Sequence, residues 1–550
     1  MQETVPTIIR NILAGRGITE EKAVQQFLYP DYDEHLHDPF AMTDMRPCVD
    51  RLLLAAKRGE KVVVYGDYDI DGITASAVMI EGLAWHGITA TSYIPDRFEE
   101  GYGINLDALR ALKADGVDLV VSVDCGITSA READWARDNG LDLIITDHHA
   151  VPAELPLAIA VINPKRPDDA YPFKDLCGAG VAFKVVQALQ QSTGVPEAGQ
   201  EKWLLDLVAL GTVCDIVTLV DENRVLVSYG LKVMRRTRRP GLRALANVGG
   251  IDIAGISSQH LGFVLGPRMN AAGRLEHAAR SLELMITQDA VRAAQIAQEL
   301  DVLNTQRRAT QASVFGAADA MAERYAGDPV LLLPDSGWSH GIVGIVASKL
   351  VEKWHKPVLV AQIMDESTKG SGRSLGSFSM IDALRANADL LTKFGGHFFA
   401  AGYTLQTKDI QAFRDGLNDY YRSSGANTSI RSELTPDADI NGVDDADWQL
   451  LEHFELLEPF GAANPEPLLA IRGLTALQVR KIGKEATHLK LSLRDDSGQT
   501  LGAVGFGLCA KYPDLKPGQR LTVLGRLNKN EWQGRASLQL IVSELIYEQI

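Results

Sequence analysis

From residue 61 the chain repeats one pattern: a short β-branched apolar run, a polar turn, then a stretch of helical periodicity. The apolar runs lie at 62–65, 90–94, 117–123, 141–145 and 158–162. Near-continuous apolar strands alternating with helices predict a parallel sheet buried on both faces, an α/β layer. Residues 276–325 hold no Pro and a single Gly, with Leu300, Leu303, Val314 and Ala318 at helical spacing. One long helix or two consecutive ones should therefore connect the first unit to the next. A second α/β pattern follows, with a strand at 330–333, a helix at 342–354, a strand at 357–362 and two Gly-rich segments at 369–374 and 394–402. Residues 423–447 are polar and turn-rich and read as a linker. Beyond Pro467 the pattern becomes short strands at 489–495, 502–507, 521–528 and 536–545, which predicts a small antiparallel barrel of the OB type.

Length and composition support several cores and little disorder. At 550 residues the chain exceeds one hydrophobic core, and domains of roughly 100 to 200 residues predict about three or four. Apolar residues make up 46% and charged ones 23%, as in an ordinary folded protein. No basic-then-apolar leader opens the sequence and no apolar run reaches roughly 18 residues, so a cytoplasmic protein without membrane spans is expected. The five cysteines form no CxxC pair, and reduced thiols are expected rather than disulfides or a zinc ribbon. A net charge of -16 argues against a general polyanion binder unless the cations are gathered on one surface.

Acidic clusters end three of the predicted strands: GDYDIDG at 66–72, SVDCG at 122–126 and TDHH at 146–149. In open α/β sheets functional groups gather at the carboxyl ends of strands, so these clusters should meet. If the chain stays extended, Asp67, Asp69 and Asp71 point to one side, where their mutual repulsion calls for a cation. Asp124, His148, His149 and Asp215 in GTVCDIV complete a candidate set whose carboxylates carry about -5, which two divalent ions bring to about -1. Mixed oxygen and nitrogen donors favour Mn²⁺ over Mg²⁺. An Asp-rich turn alone is more often a cap, and a His pair alone more often structural; the conjunction of three strand ends outweighs both readings.

Other segments look fit to hold phosphate: Arg97 and Tyr102 beside two glycines at 94–105, Arg268, Asn270 and Arg274 in GPRMNAAGR, and Ser371 and Arg373 in SGRS. Arg forks grip phosphate bidentately and glycines let backbone N–H groups approach it, although a surface ion pair is the commoner fate of any one Arg. Residues 223–251 contain seven basic side chains and no acid. They read equally well as a solvated helix end or as a surface that steers DNA. In the barrel, Phe506 and Trp532 suit either base stacking or the core.

The segments DYDIDG, VDCG, TDHH and the downstream Asp215 resemble the four motifs of the DHH phosphoesterase superfamily. The whole layout is similar to that of its single-strand-specific 5′-to-3′ DNA exonucleases. The resemblance implies a parallel-sheet DHH catalytic domain with an N-terminal extension (1–275), a connecting helix (276–325), a DHH-associated substrate-binding domain (326–422), a linker (423–465) and an OB-like nucleic-acid-binding domain (466–550). It implies metal ligation by Asp67, Asp69, Asp71, Asp124, His148 and Asp215, with His149 either a ligand or a group behind the ligands, and Asp124 bridging two ions, Mn²⁺ or Mg²⁺. It turns Arg373, Ser371 and the Gly395-Gly396-His397 loop towards a terminal 5′-phosphate. Members acting on small substrates usually place a His before the first DxD; here that stretch is Val63, Val64, Tyr65 and Gly66, so the chain departs from them and follows the exonuclease form. The implied activity is two-metal hydrolysis of single-stranded DNA to 5′-mononucleotides in recombination and repair, by a monomer, with single-strand-binding protein and a recombination helicase as partners. The alternatives are a phosphodiesterase for cyclic dinucleotides or short oligonucleotides, which needs neither long helix nor barrel, and a non-catalytic replication scaffold, in which metal ligands are typically lost.

Overall fold

The computed structural model describes residues 5–97, 100–101, 103–428, 434–532 and 534–548. Its first sheet joins β1 (Val62–Gly66), β2 (Thr91–Tyr93), β3 (Leu119–Val123), β4 (Asp142–Thr146) and β5 (Ala160–Ile162) in the order β2-β1-β3-β4-β5. Every neighbouring pair is parallel. Because successive side chains on a strand face opposite ways, β1 feeds two cores: Val62 and Val64 join one with Val121 and Ile144, and Val63 and Tyr65 join the other with Val120 and Ile145. That double burial is why the strands read as continuous apolar runs. The chain leaves β1 towards β2 on one side and then crosses back over β1 to β3 on the other, so a crevice opens at the carboxyl ends of β1 and β3.

The connecting segment forms two helices, Ala279–Ile286 and Ala290–Arg324. The second has 35 residues, about 50 Å at 1.5 Å per residue. It leads into a mixed sheet of β6 (Leu331–Asp335), β7 (Val358–Met364), β8 (Ser367–Arg373), β9 (Leu391–Gly396) and β10 (Ala400–Gln406), ordered β6-β7-β8-β10-β9. The two Gly-rich segments predicted from sequence are β8 and the β9–β10 hairpin.

The last unit comprises β11 (Ala438–Ile440), β12 (Leu469–Ile482), β13 (His488–Arg494), β14 (Thr500–Gly505), β15 (Arg520–Trp532) and β16 (Arg535–Tyr547). The sheet order β12-β13-β14-β16-β15 closes through pairing of β12 with β15, giving a five-stranded barrel with β11 added alongside β12. Two features differ from the sequence expectation. The stretch read as a linker carries β11 and a helix, Trp448–Glu455, because Ile440, Val443, Ala446, Leu450, Phe454 and Leu457 are buried in the barrel core. The N-terminal helices Thr7–Gly15 and Glu21–Leu28 pack through Ile9, Ile12, Leu13, Val24 and Phe27 into that same barrel core rather than the core of the first sheet. No helix among the described residues is long and apolar enough to cross a membrane.

Candidate metal centre and adjoining cavities

The extended run of alternate aspartates does not form. Strand β1 ends at Gly66, and the Asp69 side chain caps the helix Ile70–Ala84 by accepting from the backbone N–H groups of Asp71 and Gly72 at 2.9 and 3.1 Å. Capping competes with strand continuation wherever Asp precedes an apolar helical run, and here it wins. Asp71 then sits in the first helical turn. Its carboxylate accepts from the backbone N–H groups of Gly178 and Ala179 at 2.5 and 2.9 Å, the first residues of the helix Gly178–Thr193. Positive helix ends favour a carboxylate. A Cβ on Gly178 would stand 2.5 Å from the Asp124 Cβ, and one on Gly211 would stand 2.7 Å from Asp71 Oδ1, so both positions need glycine for close approach.

Asp124 follows β3 with a left-handed φ of 61°, His148 and His149 follow β4, and Asp215 caps the C-terminus of the helix Leu205–Cys214. His148 Nε2 lies 3.1 Å from Asp124 Oδ1, 3.6 Å from Asp215 Oδ2 and 3.7 Å from Asp71 Oδ2. Three overlapping groups have all their donor atoms within 4.8 Å of one another: Asp67, Asp69 and Asp124; Asp124, His148 and His149; Asp71, His148 and Asp215. All seven residues singled out from sequence thus converge at the crevice between β1 and β3.

The electrostatics of this cluster call for a cation. Burial, reinforced by neighbouring carboxylates, pushes the Asp67 and Asp124 carboxyls well above the usual range, raises Asp71, and raises Asp215 to about 8. Burial lowers His148 to about 4, leaving a neutral imidazole, the form that binds metal. Asp67 Oδ1 is buried without a hydrogen-bond partner. Buried polar atoms are rarely left so, and a divalent ion answers both the orphaned oxygen and the crowded negative charge. The donor set therefore fits one or more divalent metals.

Sequence reasoning passed over Asp147. Its Oδ1 accepts from the backbone N–H groups of His148 and His149 and stands 2.8 Å from His149 Nδ1, while Oδ2 accepts from the Ile127 N–H at 2.9 Å. Burial opposes its charge, but these donors hold its carboxyl below the usual range. His149 is half-buried, which works against its charge, yet the Asp147 carboxylate raises it to about 9. The sequence signal was an Asp directly before two His, the residue type that orients metal-binding imidazoles.

A cavity of about 500 Å³ is lined by Arg97, Arg274, His340, Ser371, Arg373 and Gly396 among others, and two of these cations, Arg97 and Arg274, lie near enough to the centre to feel the charges of Asp67 and Asp69. Burial and neighbouring arginines lower Arg274 to about 10, and burial and Arg97 lower Arg373. Such crowding of cations suits an anion, and the helix His340–Trp354 starts at the cavity wall. Of the expected phosphate-binding residues, Gly395 and His397 lie on the hairpin outside this lining, and His397 is exposed. Tyr102 lies outside the described residues. Arg268 differs from expectation: it pairs with Asp301 at 2.8 Å and donates to the Val264 carbonyl, partners on helices that its own motif does not reveal. Asn270 lines a larger cavity of about 690 Å³, walled by the first unit, by Arg307 of the long helix, by Ile345, and by Phe460, Glu466 and Arg526 near the barrel. Ile216 and Phe263 in its wall are 75% and 82% exposed, unusual for large apolar side chains beside a polar centre.

Three family models match the chain: DHH family, N-terminal domain, over residues 61–212; DHHA1 domain over 327–423; and RecJ OB domain over 437–544. The single-stranded-DNA-specific exonuclease RecJ of Bacillus subtilis is 38% identical over 546 residues, covering 98% of this chain and 68% of its own length. The exonuclease of that name from Escherichia coli is 32% identical, covering 98% of this chain and 96% of its own length. Among solved structures, RecJ of Thermus thermophilus in complex with Mn²⁺ superposes with a TM-score of 0.84 at 29% identity, covering 99% of this chain and 76% of that one. The Mg²⁺ complex from that organism gives 0.78 at 27% identity, with 99% and 75% covered.

Proposed function

The chain belongs to the RecJ single-stranded-DNA-specific exonucleases of the DHH family, and from that premise we propose that it removes 5′-mononucleotides from the 5′ end of single-stranded DNA by two-metal hydrolysis. The observation that carries this reading is the convergence of seven metal donors beside a cation-lined cavity. Asp67, Asp69 and Asp124 would hold one ion and Asp71, His148 and Asp215 the other, with Asp124 within reach of both through its 3.1 Å approach to His148 and with His149 turned to metal or to phosphate. Mn²⁺ or Mg²⁺ bound there supplies Lewis acidity, activating water and neutralising charge on phosphate oxygens.

The protein's own groups do the rest. Asp147 fixes the His149 ring through Nδ1, so that Nε2 is the atom left to face ligand. Arg97, Arg274, Ser371 and Arg373 would grip the terminal 5′-phosphate, which sets the polarity of digestion. The larger cavity, with Ile216, Phe263 and Asn270 in its wall, would take the following nucleotides, its apolar faces offering stacking surfaces. We divide the chain into a catalytic domain with its N-terminal extension to residue 275, a connecting helix to 325, a substrate-binding domain to 422, a stretch to 465 whose β11 and helix pack onto the barrel, and the OB-like barrel beyond. We assign the enzyme to DNA recombination and repair in the cytoplasm, as a monomer working with single-strand-binding protein and a recombination helicase.

Digesting 5′- and 3′-labelled single-stranded DNA, RNA and a cyclic dinucleotide in parallel, with Mn²⁺ or EDTA, tests the reading. Mononucleotides released from the 5′ end of DNA in Mn²⁺, and none in EDTA, are expected. Hydrolysis of the cyclic dinucleotide with DNA left intact would overturn it.

A further inference from the structure

The basic run at 223–251 is not one surface. Arg224 is buried, donating to the carbonyls of Phe27, Leu456, Leu457 and Glu458. Arg239 is buried against Asp206, Glu81 and the Met285 carbonyl. Lys232, Arg236, Arg238 and Arg243 are exposed, and among the described residues none of these four forms an ion pair. In a chain with 71 acidic and 55 basic side chains, four unpaired cations within twelve positions form a distinct positive patch.

The patch has a fixed base and a fixed distance from the metal centre. Thr237 Oγ1 donates to Asp206 Oδ2 at 2.8 Å and Arg239 Nε to Asp206 Oδ1 at 3.0 Å, so the turn carrying the cations is tied to the first residues of the helix Leu205–Cys214. Arg238 lies over the Trp203 ring at 4.1 Å and Lys232 over Tyr229 at 4.2 Å. Gly230 packs on the Leu205 carbonyl, confirming that the helix Asp221–Met234 ends beside the start of Leu205–Cys214. Asp215 follows the other end of that ten-residue helix, about 15 Å away.

We propose that this face is a second docking site for the phosphate backbone of the substrate strand, engaged by nucleotides well beyond the one being removed. It rests on the reading of the chain as a single-strand exonuclease. On a chain of net charge -16, an unpaired positive patch with interleaved aromatic rings, separate from the cation-lined cavity, is a place where a passing strand gains. Neutralised phosphates release counterions, at about 0.7 in log–log salt slope per contact on a single strand.

The test compares the Mn²⁺-loaded wild type with a variant carrying Lys232→Ala, Arg236→Ala, Arg238→Ala and Arg243→Ala, on a strand just long enough to fill the metal centre and its cavities and on a strand several times longer. The variant should keep wild-type kcat and KM on the short strand. On the long strand its KM should rise about tenfold and the slope of log KM against log salt should flatten by about 2 to 3. Arg236→Lys, Arg238→Lys and Arg243→Lys together should restore both, because charge rather than fork geometry does the work. Unchanged long-strand KM overturns the proposal, as does an equal loss on both strands or a loss seen only when a duplex follows the strand. A wild type that cleaves neither strand overturns the exonuclease reading instead.

Discussion

His149 has one ring nitrogen committed to Asp147, and three further donors converge on that carboxylate. Asp147→Asn removes the charge that orients the ring while keeping its size. Orienting partners of metal ligands are commonly worth about 10- to 100-fold in metal affinity or activity. The Mn²⁺ concentration for half-maximal cleavage should therefore rise about tenfold or more with KM for DNA little changed, and an unaltered Mn²⁺ requirement would dismiss the role. Asp124 belongs to two of the three donor groups, so Asp124→Ala should abolish cleavage in Mn²⁺ while circular dichroism shows an intact fold. At the cation-lined cavity, Arg373→Ala leaves Ser371 without its guanidinium partner at 2.7 Å and takes one cation from the proposed phosphate site. A charged hydrogen bond is worth about 1.5–3 kcal/mol, so the preference for 5′-phosphorylated over 5′-hydroxyl strands should fall by roughly 10- to 100-fold. Equal use of both ends by the wild type would remove the premise.

Between elements, the close approach of the helix Gly178–Thr193 to the end of β3 decides whether Asp71 and Asp124 share a site. Gly178→Ala forces a methyl to within 2.5 Å of the Asp124 Cβ in a fully buried setting. Overpacking of this kind costs about 1–3 kcal/mol, and a thermal melt together with a Mn²⁺ titration should show lower stability and weaker metal binding. This contact was not legible in the sequence, because glycine's role depends on a neighbour more than fifty positions away. What was legible followed from burial: strands covered on both faces leave unbroken apolar runs, and the predicted strands of the first sheet fall within two residues of those formed. The three strand-end clusters were found for the same reason, since loops after buried parallel strands meet at one edge. The first motif was misjudged in geometry because Asp69 caps a helix, a choice that side-chain spacing alone does not decide. The stretch 438–457 reads as a linker because its six buried apolar residues are scattered among polar ones, yet they suffice to anchor β11 and its helix to the barrel. The N-terminal helices are amphipathic, and an amphipathic face does not say what will cover it.

Across the whole molecule, the barrel and the first unit are joined by contacts that no single domain contains. Arg224 reaches from the first unit to Phe27 in the N-terminal helices and to Leu456, Leu457 and Glu458 ahead of the barrel, with its guanidinium 3.8 Å from the Phe27 ring. Ser258 donates to the Phe460 carbonyl at 2.7 Å, and the Leu219 N–H donates to the Ala462 carbonyl at 2.9 Å. The last two contacts close one wall of the cavity that holds Phe263 and Arg526, and Arg224 holds residues 456–458, the segment that leads into that wall at Phe460. Arg224→Ala leaves several buried carbonyls without a donor, at about 1–3 kcal/mol for each that water cannot reach. If that wall keeps a strand from leaving between cleavages, the variant should release long strands early. On a long strand chased with unlabelled competitor, it should leave partly digested products where the wild type runs on, and on short strands its turnover should stay near wild type. A melt of the variant separates this from collapse: one cooperative transition lowered by several degrees fits a loosened wall, whereas normal product lengths despite lowered stability would mean that the wall does not hold the strand.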